Sequence, residues 1–330
     1  MKKILSIALV IIAVLTCVSC GSVNTTVDDT SANTSNSSEQ VYYVGICQLV
    51  QHVSLDSATE GFKVALIDEL GDCVIFDEQN ASGDSANCTT IIDGFVASSY
   101  DLILANATAA LTAATAATDT IPVLGTSITS YPVALEVDSE DDLQSNVSGT
   151  SDLAPLDEQA AMIKEWMPDA EKVGILYCTA EPNSVYQVEV ITDELEALGY
   201  EVKAFSFTDS NDVTSVTESA CEYADVLYIP TDNTAASNTE AIANIVIPLG
   251  IPVFAGEEGI CSGCGVATLS ISYYDLGYTT GVMAAQILTG EANIENMDIE
   301  YAPVTKRYNA ENCEALGLTV PDGYEPLEID

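Results

Sequence analysis

The residues with chemistry to offer stand where short apolar runs stop. The stretch "LYIPTDNTAA" sets Thr231, Asp232 and Asn233 at the end of one such run, directly before a segment of small residues. The arrangement recurs: Gln48, Gln51 and His52, then Asn80, then Asn106 and Thr108, then Thr126 and Ser127. It continues at Glu181, Asn183 and Ser184, and again at Glu257 and Glu258. Singly, each has a plain alternative, because polar residues cap the helix that follows a strand; Asp232 and Ser184 would do this as N-caps. Recurrence at every strand end favours a small polar ligand. Catalysis has less to work with. There is no GxSxG, HExxH or GxxxxGK[ST], and no GxGxxG follows the first apolar run. One His and eight Lys/Arg leave few candidates for a general base or an oxyanion donor. Adjacent carboxylates such as Glu257–Glu258 are what 51 acidic residues produce by chance. No catalytic residue, cofactor or metal is expected. "CSGC" at 261–264 has half-motif spacing, but without a second pair it reads as a local disulfide or two core thiols.

The elements that position these groups follow from periodicity. "VYYVGICQL", "CVIFDEQNA", "YDLILANAT" and "IPVLGTSI" read as strands. Between them, "LDSATEGFKVALIDELG", "DSANCTTIIDGFVASS" and "AALTAATAAT" read as helices, the first with Gly71 as its stop. The series restarts with "KVGILYC" and runs through "EVKAFSFT", "DVLYIPTDN" and "IPVFAGEE", again with helices between. Such alternation means βαβ units and parallel sheets covered on both faces, here two α/β doubly wound lobes. In open sheets of this kind ligands sit beyond the carboxyl ends of the strands.

The chain has 330 residues, is 48% hydrophobic and carries a formal net charge of −43. Room for two domains and a sizeable core follows, and so does repulsion of nucleic acid and of anionic membrane. The opening "MKKILSIALVIIAVLTCVSC" is a secretory signal, since its apolar part is too short for a bilayer core. "CVSCGS" resembles a bacterial lipobox with Cys20 as the acylated residue, Cys17 being the weaker acceptor. Residues 1–20 are therefore assigned to a lipoprotein signal peptide, with lipid such as palmitate on Cys20. The Ser/Thr/Asn-rich residues 21–40 form a flexible tether.

"VGICQLVQHVSLDSATEGFK", "GTSDLAP", "VGILYCTAEPNSVYQVE", "YIPTDNTAAS", "IPVFAGEEG" and "SYYDLGYTTGVMAAQILTGE" resemble the substrate-binding lipoproteins of ABC importers, in the group typified by tryptophan- and tyrosine-binding components. The likeness runs from about Val41 to Pro321. It implies a type I periplasmic binding protein: two Rossmann-like lobes joined by three crossovers and closing on a ligand. Lobe one would comprise 41–150 with 266–294, and lobe two 151–265 with 295–330. Departures are Val53 in place of a Pro, "TSYP" at 129–132, Ser272 in place of an Asp, and the inserted "CSGC".

Carried over, the resemblance implies ligand-binding roles for Gln48, Asn106, Thr108, Thr126 and Ser127 on lobe one. Ser151 and Asp152 lie near the first crossover, and Asn183, Ser184, Thr231, Asp232, Asn233 and Glu257 would serve on lobe two. The implied ligand is an amino acid with an aromatic or other apolar side chain, delivered to ABC permease subunits from the cell surface or periplasmic face. A monomer held to the membrane through lipid alone is expected. A zwitterion wants an anion facing its ammonium, a part for Asp232, and N–H or hydroxyl donors facing its carboxylate. A sugar or nucleoside is the alternative ligand, and a secreted hydrolase the alternative of a different class.

Overall fold

The computed structural model describes residues 40–328. The signal peptide, Cys20 and all of the tether but Gln40 lie outside the described residues. The chain begins with β1 (Tyr42–Gln48), α1 (Val53–Leu70), β2 (Val74–Asn80), α2 (Ser85–Ala97) and β3 (Leu102–Asn106). Next come α3 (Thr108–Ala117), β4 (Val123–Ile128), α4 (Tyr131–Leu135) and β5 (Val147–Ser151). After a crossover at 152–155 follow α5 (Leu156–Trp166), β6 (Lys172–Cys178), α6 (Pro182–Ala197), β7 (Glu201–Phe207) and α7 (Val213–Tyr223). Then come β8 (Val226–Ile229), α8 (Asn233–Ala236), α9 (Thr239–Leu249), β9 (Val253–Ala255), α10 (Glu258–Gly263) and β10 (Ala267–Ser270). A second crossover at 271–272 leads to α11 (Tyr273–Thr289) and β11 (Glu300–Tyr301). A third, at 302–304, returns to β12 (Thr305–Tyr308), α12 (Ala310–Leu316) and β13 (Glu325–Pro326).

The first sheet has the order β2-β1-β3-β4-β5-β11 and is parallel throughout. The second has the order β7-β6-β8-β9-β10-β12-β13. Both are covered on both faces, which is why their central strands are apolar runs rather than alternations. In β3, Ile103 packs with Phe95 and Tyr131 on one face, while Leu102 and Leu104 pack with Phe62 and Met283 on the other. In β8, Val226 and Tyr228 pack with Ile175 and Phe254, and Leu227 and Ile229 with Leu176 and Val253. Two Rossmann-like lobes joined by three crossovers are the result.

Three features differ from the sequence reading. Residues 266–270 stay with lobe two, because β10 hydrogen-bonds β9 and β12. Residues 295–301 stay with lobe one, because β11 adds to β5, whose last residue is Ser151. The second sheet is not wholly parallel, since β12 runs antiparallel to β10. The crossovers lie at the carboxyl ends of the parallel strands, so a strand entered directly from one must run the other way.

Glycines set how α11 docks on lobe one. A Cβ on Gly277 would lie 1.9 Å from the Ala58 carbonyl oxygen, and one on Gly61 would lie 2.1 Å from that of Tyr274. The backbones of α1 and α11 therefore touch, and only Gly fits at the contact.

Candidate functional site

The polar strand ends divide into two populations. The first holds elements in place. Gln48 and Asn106 are cross-strand neighbours, and both reach into the first turns of α1. Gln48 donates to Asp56 (2.6 Å) and accepts from Thr59 (2.6 Å), and Asn106 Nδ2 donates to the Leu55 carbonyl (2.8 Å). Thr126 Oγ1 lies 3.3 Å from Thr150, which lies 2.9 Å from Thr280, so hydroxyls tie β4 and β5 to α11. Ser151 donates to the Thr129 carbonyl, Ser184 bonds that of Thr231, and the Thr108 side chain is buried at the start of α3.

The second population lines a narrow cavity of about 10 Å³ between the lobes. Ser127 and Asp152 contribute from lobe one and its crossover; Asn183, Thr231, Asp232, Asn233 and Glu257 contribute from lobe two. The cavity is completed by His52, Leu55, Thr129, Tyr273 and Ala236, none of them among the thirteen ligand positions expected from sequence. Of these, Leu55, Ala236 and the Tyr273 ring supply the apolar surface. Tyr273 opens α11 immediately after the second crossover, a placement that only the return of the chain to lobe one creates.

Backbone geometry aims Ser127. The β4–β5 register shifts between Gly125 and Ile128, and Ser127 takes a left-handed φ of +56°. Bulges next to binding sites re-aim side chains in this way. Ser127 is 6% exposed, and its hydroxyl has no hydrogen-bond partner among the described residues. Near it, α1 starts at His52 with no side-chain cap, so its first amides keep the partial positive charge of a helix N-terminus.

The lobe-two wall is acidic. Asp232 is 1% exposed and caps α8 through Ala235 N (2.8 Å), while its other oxygen accepts from Cys178 N (2.7 Å). Burial, then the charge of Glu181, push its carboxyl up to about 8. Glu181 accepts from Asn233 Nδ2 (2.8 Å), Thr234 N (2.8 Å) and Thr234 Oγ1 (2.7 Å). Glu257 caps α10 through Gly259 N (2.7 Å) and accepts from Ser54 across the cleft. On the crossover side, Asp152 accepts from Tyr273 (2.8 Å) and Thr129 (3.1 Å), and burial pushes it up to about 6.

Among the described residues no Lys or Arg answers these carboxylates. Lys63, Lys306 and Arg307 pair with Glu78, Glu165 and Glu325, and Lys164, Lys172 and Lys203 lie over Tyr and Phe rings. The cavity is thus built for a small solute that brings its own positive charge. Among the described residues no cluster of His, Cys, Asp or Glu is arranged to hold a metal. Cys261 and Cys264 are buried and unbridged, and burial pushes both thiols up, which leaves them inert.

Residues 43–323 match the model of the family described as ABC transporter substrate binding protein. A tyrosine-binding protein from Clostridioides difficile is 35% identical over 294 residues, 88% of this chain and 85% of that protein. A domain from Streptococcus pneumonia solved in complex with L-Trp superposes with a TM-score of 0.81 at 29% identity, covering 86% of this chain and 97% of the other. The ligand-free, open structure of a substrate binding protein with adhesive properties from Clostridium difficile is 33% identical. It superposes with a TM-score of only 0.67, covering 88% of this chain and 100% of the other. The nearer shape is the liganded one despite its lower identity, in keeping with the contacts that join the two lobes across the cavity here. The chain belongs to the ABC transporter substrate-binding protein family.

Proposed function

We propose that the chain binds an α-amino acid with an aromatic or other apolar side chain between its lobes and delivers it to an ABC permease. The observation that carries this reading is an interlobe cavity lined by three buried carboxylates, Asp152, Asp232 and Glu257, with no Lys or Arg among the described residues that line it. An ammonium stabilises those charges. The ligand carboxylate is placed against the Ser127 hydroxyl and the uncapped first turn of α1. Leu55, Ala236 and Tyr273 face the apolar side chain. The relatives that bind L-Trp and are named for tyrosine support the same class.

Thermal melting against a panel of amino acids, sugars and nucleosides tests this. A ligand at 100 times its dissociation constant adds about 2.7 kcal/mol of stability. A shift with a sugar or nucleoside and with no amino acid sinks the reading.

Anchoring by lipid on Cys20 belongs to the same proposal and rests on the "CVSCGS" stretch and the polar tract after it. Cys20→Ser is expected to move the protein from the membrane fraction to a soluble one. Retention in the membrane fraction assigns the anchor to Cys17 or to the apolar segment.

A further inference from the structure

His52 is the only histidine of the chain, and the structure puts it on the wall of the interlobe cavity. Its one side-chain hydrogen bond among the described residues runs across the cleft. Nε2 lies 3.2 Å from Asn233 Oδ1 on the opposite lobe. Which partner donates is set one residue further on, because the Asn233 amide nitrogen donates to Glu181 Oε2 at 2.8 Å. A carboxylate accepts only, so the Asn233 amide must point its nitrogen at Glu181 and its oxygen at His52. The oxygen then requires a hydrogen on Nε2. In a neutral imidazole that leaves Nδ1 as an acceptor. Nδ1 is fully buried and has no partner among the described residues, and it does not cap α1, where a side chain at this position commonly bonds.

We infer that His52 Nδ1 accepts a hydrogen bond from the ammonium of the bound amino acid, with its tautomer fixed by Asn233 and Glu181 of the other lobe. This rests on the amino-acid reading of the cavity and deepens it. The consequence is a ligand contact assembled by closure. In an open cleft Asn233 is out of reach, and either ring nitrogen is free to carry the proton. Once the lobes meet, the proton is drawn to Nε2 and the lone pair on Nδ1 is presented to the ligand. Recognition of an N–H donor and closure of the lobes thereby become one event.

Two substitutions separate this role from a simple contact between lobes. His52→Gln places an amide nitrogen where Nε2 stands, so it keeps the bond to Asn233 and lacks the Nδ1 acceptor. His52→Asn places an amide oxygen where Nδ1 stands and gives up the reach to Asn233. Calorimetric titration of full-length protein with L-tryptophan and L-tyrosine is the readout, with a melting curve on each variant to confirm folding. Loss of a hydrogen bond to a charged group corresponds to about tenfold or more in affinity. The expected result is that loss in His52→Gln, with His52→Asn recovering most of it. Wild-type affinity in His52→Gln, or equal losses in the two variants, overturns the role of His52 alone. Failure of the unmodified protein to bind any apolar amino acid, with a melting shift from a sugar or nucleoside instead, overturns the amino-acid reading and this inference together.

Discussion

Asp232 shows how one residue serves two purposes. As the N-cap of α8 it supports local structure, and as part of the cavity wall it supplies charge. Asp232→Ala is expected to lower stability by about 1 kcal/mol through the lost cap. It should also weaken amino-acid binding, which titration on the one variant would show; unchanged affinity would leave capping as its whole role. The raised carboxyls add a pH signature. Asp152 sits at about 6 and Asp232 at about 8 in the folded chain, against about 3.9 unfolded. Folded protein therefore holds protons that the unfolded chain has released. The stability these groups contribute is complete below about pH 4 and is lost as pH rises through about 6 and 8. An ammonium takes over from those protons, so stabilisation by the ligand should grow across the same window. Melting at about pH 5 and pH 8, with and without L-tryptophan, checks this. An equal ligand-induced shift at both pH values would mean that the ammonium does not meet these carboxylates.

At the scale of elements, the contact of α1 with α11 matters most, because α11 brings Tyr273 to Asp152 and α1 brings His52 and Leu55 to the cavity. Gly277 meets the Ala58 backbone and cannot gain a Cβ without moving a helix. Gly277→Val is expected to destabilise lobe one by about 1–3 kcal/mol through overpacking, read by denaturant unfolding. It should also weaken ligand binding by displacing Tyr273. Gly94 in α2 is the contrast, since a Cβ there meets nothing within 4 Å. Gly94→Ala should stabilise by about 0.5–1 kcal/mol on helix propensity alone. Destabilisation by Gly94→Ala would show that backbone entropy is not the controlling quantity at that site.

For the whole molecule, the decisive property is that the cavity belongs to neither lobe. His52 meets Asn233 and Ser54 meets Glu257 only when the lobes are together, and three crossover segments are the joints about which they part. Small-angle scattering should show compaction on adding an amino acid that raises the melting temperature, as expected of hinge closure. Superimposable profiles with and without that ligand would refute a closing cleft.

The strand-end rule made half of the cavity legible in advance. His52, Ser127, Asn183, Thr231, Asp232, Asn233 and Glu257 were marked by chemistry and position, Asp152 was implied by the family resemblance alone, and the two doubly wound lobes followed from the alternation of apolar runs with helical ones. The same rule could not separate those residues from Gln48, Asn106 or Thr126. A polar side chain at a strand end faces either the adjacent helix or the cleft, and backbone twist and bulge decide which. Tyr273, Thr129 and Leu55 carried no local signal, because their place in the cavity depends on chain returns across more than a hundred residues. Sequence also left the lobe boundaries several residues adrift, since pairing of β10 with β9 and of β11 with β5 is a matter of sheet edges and not of composition. Charge told the reverse story. The near-absence of Lys and Arg, plain from composition, already required that any cation in the cleft come with the ligand, while tertiary structure decided which carboxylates are buried deeply enough to need one.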